Sequence, residues 1–586
     1  MSTFANIRVS RQSKVSKSYV QSTTSTQPSS STLSPQPSRE GKSKDVDVGE
    51  ITYSLPPNIE LRNSDSQGRG LWSKAHYKSG STLLATKPHI AVLSNRHLDS
   101  YCSNCLSPSP ASGLKRCTTC RRVWYCNSEC QNKDWPLHKR ECSALQEWAE
   151  AAPSPDLTLP SDAVRCLGRL MWTRQKRGSG SKWAKEIDAM QSHRESLQSS
   201  SFELHTHLSH ALVRYLGISS SEQLSKFELN SPKDLVDITS RFITNTFSVT
   251  TPTLTPIGVS VSPIVALINH SCEPNAVVVF PRSSTPSPAQ ESLMQIIALR
   301  NINPNEEILT SYIDTTLPKY LRQKSLKETY NFECRCTLCT SSLDLELREA
   351  VFCPKQCGGT CPIPLEESNL CQCSKCRAVL KDTGAIIDAV RVGQEGLDKA
   401  TALQSKDPYK SLQLTTNLIP ILISSGLTPS SHPLLALSRL HQSLLIESLP
   451  SPPTQESLDD AIRATTRSSA GLSAILPYGH PIRGITLAEL GKLLAVDEPS
   501  PCQPSSPAEA ALRYPPSGPP RLKLALETML RARNELLVGF GAWNEGGQVG
   551  KDAREVIVAL EKEMMVWKQG VRNVLEDTPR PVVFKS

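Results

Sequence analysis

No stretch of this 586-residue chain holds the roughly 20 consecutive apolar residues that a bilayer-spanning helix needs. The chain also opens without an apolar secretory segment, which disfavours a secreted disulfide scaffold. Charge is nearly balanced, since 65 Lys and Arg stand against 56 Asp and Glu, giving a net charge of +9. That excess is too small to indicate nucleic-acid binding as the main function. We therefore expect a mostly globular intracellular protein without a membrane partner.

Acidic residues are missing from the N-terminal segment as far as Glu40, where Ser, Thr, Gln and Pro dominate. Segment 1–50 is therefore predicted to be a disordered Ser/Thr-rich tail. Basic residues recur at every third position from Arg8 to Lys17, so this start resembles a mitochondrial transit peptide. A solvated tail is the favoured interpretation, because the segment has no convincing apolar face. Whether the tail is a targeting signal stays open.

Hydrophobic patterning predicts an α+β fold. Short strands and turns are expected between residues 51 and 92, and strands again from 242 to 312, including an apolar strand over 264–268. Two apolar runs, Val277–Phe280 and Leu293–Ile297, flank a Ser/Pro loop and predict a long hairpin.

Helices are predicted over Ala163–Trp172 and Trp183–Leu197, separated by a break at 178–181. The chain after about residue 381 is also expected to be helical, apart from a proline-rich loop over 497–520. Because the helical pairs do not repeat at a strict period, a tetratricopeptide-like (TPR-like) array is only suggested.

Cysteine is the most informative residue type, with 19 copies, most of them in closely spaced pairs. One block contains four ligand pairs with metal-binding spacing: Cys102 and Cys105, Cys117 and Cys120, Cys126 and Cys130, and His138 and Cys142. Eight soft ligands in so short a segment match two tetrahedral zinc ions. The segment is too small to bury a core, so the metal must supply its folding free energy. A redox CxxC motif would not explain eight ligands together.

The strings Val-Trp-Tyr-Cys at 123–126 and Trp-Pro-Leu-His at 135–138 make this block resemble the MYND zinc finger. The resemblance implies that the ligand pairs interleave, with one ion on Cys102, Cys105, Cys126 and Cys130 and the other on Cys117, Cys120, His138 and Cys142. It also implies proline-rich peptides as partners, and DNA as a weaker alternative. Basic side chains of the block would suit either partner, but they also suit a solvated surface: Arg116, Arg121, Arg122, Lys139 and Arg140.

Four further strings are separated in the sequence but belong together. They are Gly-Arg-Gly-Leu at 68–71, Asn245, Asn-His-Ser-Cys-Glu-Pro-Asn at 269–275, and Glu-Glu-Ile-Leu-Thr-Ser-Tyr at 306–312, which is followed by a CxCxxC motif at 334–339. Together they resemble the SET domain. With a MYND finger inserted after the first SET segment, the chain is identified as a member of the SET- and MYND-domain (SMYD) family of protein-lysine methyltransferases. The resemblance is strong over about 58–342 and looser beyond.

The family resemblance implies a pseudoknotted, mostly antiparallel SET domain with an inserted finger and a helical insertion, followed by a helical TPR-like domain. The expected boundaries are 51–100 for the first SET part, 101–142 for the finger, 143–240 for the helical insertion, 241–342 for the SET core and post-SET segment, 343–380 for a Cys-rich segment and 381–586 for the helical domain.

The resemblance also implies the site residues. S-adenosylmethionine would bind through Gln67, Gly68, Arg69, Asn245, Asn269 and His270, with Phe332 stacking on the adenine. Tyr312 would orient the lysine amine and the methyl group, while Tyr330 and Phe332 wall the lysine channel. A third zinc ion would bind Cys334, Cys336 and Cys339, with Cys272 as the fourth ligand that the family supplies.

Beyond these motifs, Cys353, Cys357, Cys373 and Cys376 have the spacing of a fourth zinc site, with spare thiols as the alternative. Two other cysteines are interpreted as a core residue, Cys166, and a loop residue, Cys502.

The sequence thus predicts a monomeric lysine methyltransferase that modifies histone or non-histone proteins. Two alternatives stay open: a catalytically weak or inactive SET protein acting as a MYND adaptor, and a DNA-binding regulator. The substrate and the number of methyl groups transferred are not determined. The basic string Arg174–Arg177 is a poor nuclear signal, so cytoplasm, nucleus or both are expected.

Overall fold

The computed structural model describes residues 53–64, 68–194, 199–281, 294–341, 346–500 and 514–577. The predicted tail over 1–50, Gln67 and Cys502 therefore lie outside the described residues. The first described elements are short strands, as the sequence predicts: β1 (Ile59–Ser64), β2 (Gly68–Ser73), β3 (Thr82–Thr86) and β4 (Ile90–Leu93). Strands β1 and β2 pair in antiparallel register, with Ser64 opposite Gly68.

The cysteine block contains the small hairpin β5 (Lys115–Arg116) and β6 (Trp124–Tyr125), followed by the long helix α1 (Ser128–Glu150). The side chain of Asn127 caps α1 by accepting a hydrogen bond from the amide of Cys130. This helix continues beyond Cys142, the last expected zinc ligand. The finger is therefore joined to the next part of the chain by a continuous helix rather than by a linker.

The helical insertion consists of α2 (Asp162–Arg177), α3 (Lys182–Asp188), α4 (Ser199–Tyr215), α5 (Ser221–Ser225) and α6 (Pro232–Thr244). The helix predicted over Trp183–Leu197 is wrong in length, because α3 ends at Asp188. The carbonyl groups that follow accept hydrogen bonds from side chains elsewhere in the fold, including Arg69 and Asn245. Tertiary contacts therefore override helix propensity at this point.

The next strands are β7 (Thr246–Thr250), β8 (Pro256–Val261), β9 (Asn269–His270), β10 (Ala276–Val279), β11 (Met294–Ala298) and β12 (Leu309–Thr310). The antiparallel sheets are β4–β8–β7 and β10–β11–β3, whereas β9 and β12 pair in parallel. The pairing of β10 with β11 confirms the predicted long hairpin.

Two strand predictions are wrong. Phe242 belongs to helix α6, and the strand begins only at Thr246. The apolar run over 264–268 forms a single 3₁₀ turn, Val265–Leu267, instead of a strand. Periodicity cannot separate the two for so short a buried run.

The chain continues with α7 (Lys319–Tyr330), α8 (Thr337–Thr340), β13 (Ala350–Phe352) and β14 (Thr360–Pro362). The helical domain that follows contains α9 (Thr383–Leu403), α10 (Pro408–Ser424), α11 (Leu434–Ser448), α12 (Gln455–Ile475), α13 (Pro481–Leu494), α14 (Pro519–Gly539) and α15 (Gly547–Asp577). Helical structure beyond residue 381 is thus confirmed. Within the described part of the predicted loop at 497–520, helix begins only at Pro519.

The hydrophobic core of the helical domain is continuous with the strands. Val279 of β10 and Ile297 of β11 are both fully buried among side chains of α13, α14 and α15. The two parts of the molecule therefore share one core. Among the described helices, none combines the length and the apolar character that a membrane crossing requires.

Candidate active site and metal centres

The parallel pair β9–β12 brings together two strings that are about forty residues apart in sequence. Asn269 lies opposite Leu309, and His270 lies opposite Thr310. Asn275 holds the pair from one end, because its side-chain oxygen accepts from the amide of Leu309 at 2.8 Å. This register places Tyr312, two residues after β12, directly beside His270.

His270 is fixed by both of its ring nitrogens. The backbone amide of Tyr312 donates to His270 Nδ1 at 3.0 Å. Since an amide can only donate, Nδ1 accepts and the neutral ring carries its proton on Nε2, which lies 3.3 Å from Cys272 Sγ. The imidazole therefore connects the Tyr312 backbone with a sulfur of an expected zinc site.

Tyr312 lies at the centre of an aromatic group. Its hydroxyl donates to the carbonyl of Ile268 at 2.7 Å. Its ring centre is 5.2 Å from that of His270, 5.0 Å from that of Tyr330 and 6.4 Å from that of Phe332. Burial, with smaller contributions from Tyr330 and Glu307, raises the pKa of Tyr312 above its ordinary value. The phenol is therefore protonated at neutral pH.

Tyr330 and Phe332 reach the same group from the end of α7. Asn331 between them is left-handed, with φ 57°, a conformation that asparagine tolerates well. The Tyr330 hydroxyl donates to the Tyr312 carbonyl at 3.4 Å, and burial raises the pKa of Tyr330 to about 12. The structure thus brings the two predicted channel residues against Tyr312.

The two glycines of the Gly-Arg-Gly string serve different purposes. Gly68 has φ +72°, which side chains disfavour, although the space around it is open. At Gly70 the constraint is space, because an added Cβ would collide with Glu307 Oε1 and lie 2.9 Å from Asn269 Nδ2. Only a residue without a side chain lets β2 approach the Asn269 amide so closely.

Two of the predicted cofactor residues bond to one segment, 189–191, and a third bonds to one of those two residues. The guanidinium of Arg69 donates to the carbonyl of Ala189, and Asn245 Nδ2 donates to that of Gln191 at 2.8 Å. The Asn269 amide donates to the Arg69 carbonyl at 3.2 Å. Asn245 is thus connected to Asn269 through the 189–191 backbone, a segment that the sequence did not indicate.

Glu307 is a site residue that sequence reasoning missed. Its carboxylate accepts from Asn269 Nδ2 at 2.8 Å. Burial raises the pKa of Glu307, although the hydrogen bond from Asn269 acts in the opposite direction. Its position within the 306–312 string was the only available signal. A carboxylate here offers negative charge to a cationic ligand.

The predicted metal ligands form four groups, and in each the ligand atoms all lie within 4.8 Å of one another. Cluster 1 is Cys102, Cys105, Cys126 and Cys130; cluster 2 is Cys117, Cys120, His138 and Cys142; cluster 3 is Cys272, Cys334, Cys336 and Cys339; cluster 4 is Cys353, Cys357, Cys373 and Cys376. The interleaved pairing of the finger is the one that the MYND resemblance implies. Four soft donors converging on a point fit tetrahedral zinc in each cluster.

Cluster 2 is supported by a carboxylate behind its histidine. His138 Nε2 lies 3.7 Å from Cys120 Sγ, while Nδ1 lies 3.4 Å from Glu141 Oε2. Such a carboxylate orients a metal-binding imidazole. Burial by itself would raise the pKa of Glu141, but Arg169 and Arg165 beside it hold that pKa well below its usual range.

The same charges attach the finger to the helical insertion. Arg169 of α2 makes two hydrogen bonds to Asp134 of α1, at 2.9 and 3.0 Å, and it also contacts Glu141. Arg165 bonds Glu141 at 3.2 Å and the Leu93 carbonyl at 3.0 Å. The finger is therefore attached to α2 by buried, paired charges, and Arg165 also joins α2 to β4.

Cluster 3 adjoins the aromatic group through Cys272 and His270. Cys272 Sγ lies 3.5 Å from Cys339 Sγ and 4.0 Å from Cys334 Sγ. The fully buried Arg322 places Nη2 3.9 Å from Cys339 Sγ, so a cation faces the thiolates. Cys166 lies outside these clusters. It is 0% exposed, which confirms the prediction that it is a core residue.

This chain is similar to one known domain family and, over about half of its length, to known lysine methyltransferases. The MYND finger family matches residues 102–142. Histone-lysine N-methyltransferase ASHR1 of Arabidopsis thaliana is 29% identical over 289 residues, which is 48% of this chain and 55% of that protein. N-lysine methyltransferase SMYD2-B of Danio rerio is 31% identical over 294 residues, 49% of this chain and 62% of that protein. The match spans less than two thirds of either relative.

A solved structure, the SET domain of LSMT bound to MeLysine and AdoHcy, aligns over 91% of this chain and 94% of that one. The identity is 12% and the TM-score is 0.28, too low to support an argument. Similarity in sequence therefore supports two statements: residues 102–142 match the MYND finger family, and about half of the chain is similar to lysine methyltransferases that include SMYD2-B and ASHR1.

Proposed function

We propose that the protein transfers a methyl group from S-adenosylmethionine to the side-chain amine of lysine in a protein substrate, histone or non-histone. The observation that carries this proposal is the β9–β12 pairing, which sets Asn269 opposite Leu309 and brings the neighbouring His270 into contact with Tyr312. The relatives named lysine methyltransferases support the same reaction.

The residues around β9 fit such a cofactor. The ligand carries a carboxylate, an ammonium, a sulfonium and a purine, so its site needs polar groups of both signs and aromatic faces. Arg69 and the Asn269 amide supply donors, Glu307 supplies a carboxylate, and Phe332 supplies a ring face. Gly70 has no side chain, which lets Asn269 and Glu307 lie close against β2.

When bound, S-adenosylmethionine supplies an electrophilic methyl group on a positively charged sulfur. The chain's own contribution is largely positioning. The Tyr312 hydroxyl donates its hydrogen bond to the Ile268 carbonyl. Its oxygen lone pairs can therefore accept a hydrogen bond from the lysine amine. Tyr330 and Phe332 provide an apolar wall that favours the neutral, nucleophilic form of that amine.

The finer architecture belongs to the same proposal. We infer a SET-type domain whose C-terminal segment threads through a loop, and a TPR-like arrangement of the helices after residue 381. Consecutive packing of α9 to α14 supports the second inference. The domain boundaries at 50, 100, 142, 240, 342 and 380 follow from the family resemblance.

The MYND finger supplies the second candidate function, a protein-binding adaptor. Trp135 is 44% exposed on α1, and the guanidinium of Arg116 covers the ring of Trp124 at 5.3 Å. The exposed ring of Trp135 suits a proline-rich segment, whereas the Trp124 face is covered by Arg116. DNA is less well supported, because Arg116 also donates to the Arg121 carbonyl and Arg140 bonds Gln175. A monomer in cytoplasm or nucleus remains our expectation.

Calorimetry of S-adenosylmethionine binding to the zinc-loaded full chain tests the enzyme proposal. The wild type should bind, and Asn269→Ala should abolish binding, because it removes the amide between Arg69 and Glu307. Asn58→Ala, at an exposed position in the turn before β1, is the matched control and should bind like wild type. A folded, zinc-replete wild type that fails to bind would make the adaptor the better reading.

A further inference from the structure

Cluster 4 lies outside the candidate active site, in the segment leading to the helical domain. Cys353 Sγ is 3.4 Å from Cys376 Sγ, and Cys357 Sγ is 3.5 Å from Cys373 Sγ. Four thiolates bound to one zinc ion at about 2.3 Å would stand roughly 3.8 Å apart. A disulfide would bring two sulfur atoms to about 2 Å. The spacing therefore fits one shared ion better than two disulfides.

The backbone after Cys373 repeats a turn that occurs twice in the MYND finger. The residue following the second cysteine of each CxxC pair is left-handed: Leu106 at φ 59°, Arg121 at φ 53° and Arg377 at φ 58°. Each of these amides donates to the carbonyl of the first cysteine of its pair, at 2.8, 3.1 and 3.1 Å respectively. Left-handed leucine and arginine are uncommon. A shared cause is that this turn directs both thiolates towards one ion.

Two further features favour thiolates in cluster 4. The amides of Lys355 and Lys375 each donate to a cluster sulfur, Cys353 Sγ and Cys373 Sγ, at 3.4 Å. At Gly359 an added Cβ would lie 2.7 Å from Cys373 Sγ. The absence of a side chain there allows the two cysteine pairs to meet.

The cluster is built into the core of the helical domain. Cys353 and Cys373 are buried with side chains of α10 and with Leu427. Strand β13, which leads into Cys353, carries the backbone contacts: Phe352 donates to the Gly426 carbonyl at 2.8 Å, and Thr428 donates to the Ala350 carbonyl at 3.2 Å. The loop 426–431 thus docks on β13.

The segment just before β13 contacts the residues that follow Tyr312 in the candidate active site. Arg348 Nε donates to the carbonyl of Thr315 at 2.6 Å, and its Nη2 donates to that of Ile475 at 3.1 Å. Glu346 links Arg348 with Arg322, the cation facing cluster 3. A distorted β13 would therefore disturb both the helical domain and the segment that follows Tyr312.

We propose that cluster 4 binds a structural zinc ion that holds β13 in place as the docking strand for the loop 426–431 of the helical domain. The ion has no part in the transfer chemistry. Two of its ligands lie in the loop that joins β13 to β14, and the other two follow β14. The ion would therefore stabilise a hairpin that is too short to be stable by itself.

Zinc content of the full chain tests the proposal. Wild type should contain four zinc ions per chain, with cluster 4 cysteines free of disulfides, and the double variant Cys373→Ser/Cys376→Ser should contain three. Cys371→Ser is the matched control, since Cys371 is a buried neighbouring thiol outside the four ligands, and it should retain four. Three ions in wild type, or disulfides within cluster 4, would overturn the proposal.

The wild type also tests the docking role if the double variant does not fold. Stepwise chelation should release the cluster 4 ion early, because Cys376 is its exposed ligand, and alkylation should then label that cluster. At this step amide exchange in 426–431 should accelerate at least about tenfold as the loop opens. Labelling of cluster 4 with unchanged exchange in the loop would exclude the docking role.

Discussion

At the scale of the single residue, Tyr312 is the group whose chemistry can be tested most directly. Tyr312→Phe removes the hydroxyl bonded to Ile268 but keeps the ring between His270 and Tyr330. We expect methyl transfer to fall at least about 100-fold, because misplacement of reacting groups costs on that order. Cofactor affinity by calorimetry should change little. Equal losses of affinity and rate would instead indicate that the hydroxyl only supports the pocket.

The two glycines of β2 give a matched pair of variants. Gly70→Ala should lower cofactor affinity by about tenfold or more, because the methyl group displaces the Asn269–Glu307 pair. Gly68→Ala should lower affinity less, because no atom lies within 4 Å of the added Cβ, and should cost about 1 kcal/mol of stability through its left-handed backbone. Calorimetry and chemical denaturation separate the two effects. Comparable affinity in both variants would contradict the close approach at Gly70.

At the scale of the element, the contact between α1 and α2 depends on buried charges that pair completely. Glu141→Ala should destabilise the protein by about 3–5 kcal/mol, because Arg165 would stay buried without a carboxylate partner and Arg169 would keep only Asp134. Zinc affinity of cluster 2 should fall about 10- to 100-fold, since Glu141 orients His138.

Glu129→Ala, on the same helix, is the control for this prediction. Glu129 forms an exposed ion pair with Lys133, so the free energy of unfolding should change by no more than about 0.5 kcal/mol. Denaturant titration of both variants gives the comparison. A small effect of Glu141→Ala would show that the finger does not depend on the buried charges.

A pH-sensitive histidine, His432, directly follows the loop 426–431 that docks on β13. Burial lowers the pKa of His432 to about 4, although Asp314 acts in the opposite direction, and the ring bonds Gln394 at 2.7 Å. The unfolded chain therefore takes up this proton between pH 6.5 and 4 while the folded chain does not. The contribution of the neutral His432 side chain to the free energy of unfolding is therefore fully present above pH 6.5 and is lost as the pH falls towards 4.

His432→Gln should accordingly reduce the fall in unfolding free energy between pH 6.5 and 4.5 by about 2 kcal/mol. Denaturant titrations across this range measure it. His76→Gln, at an exposed histidine, should leave the slope as in wild type. An unchanged slope in His432→Gln would exclude His432 as a contributor.

At the scale of the whole molecule, the helical domain and the strands share a core. Deleting residues 381–586 would uncover Val279 and Ile297, which are both 0% exposed. The truncated chain should aggregate, or bind a hydrophobic dye, when compared with the full chain. Chromatography and dye fluorescence provide the measurement. A soluble, monomeric truncation with the original melting temperature would mean that the domains are independent.

The sequence indicated the site more fully than it indicated the fold. Spacing paired neighbouring ligands and grouped those of cluster 4, because a CxxC turn brings two thiolates together whatever surrounds it, whereas the family resemblance implied the interleaved pairs of the finger and the place of Cys272 in cluster 3. The predictions for the short apolar run at 264–268 and for the end of α3 were wrong. Burial decides the first, and hydrogen bonds from the side chains of Arg69 and Asn245 decide the second. Glu307 was missed since its partner Asn269 lies 38 residues away.

The sequence by itself determined the chemistry of this protein: which cysteines can hold zinc, which strings carry the methyltransferase resemblance, and where helices follow strands. Only the tertiary structure decided how these parts meet. The parallel pairing of β9 with β12, the bonds of Arg69 and Asn245 to segment 189–191, and the core shared by Val279 with the helices all join distant segments. Local propensity and spacing act over a few residues, whereas such contacts are selected by packing and hydrogen bonding across the folded chain.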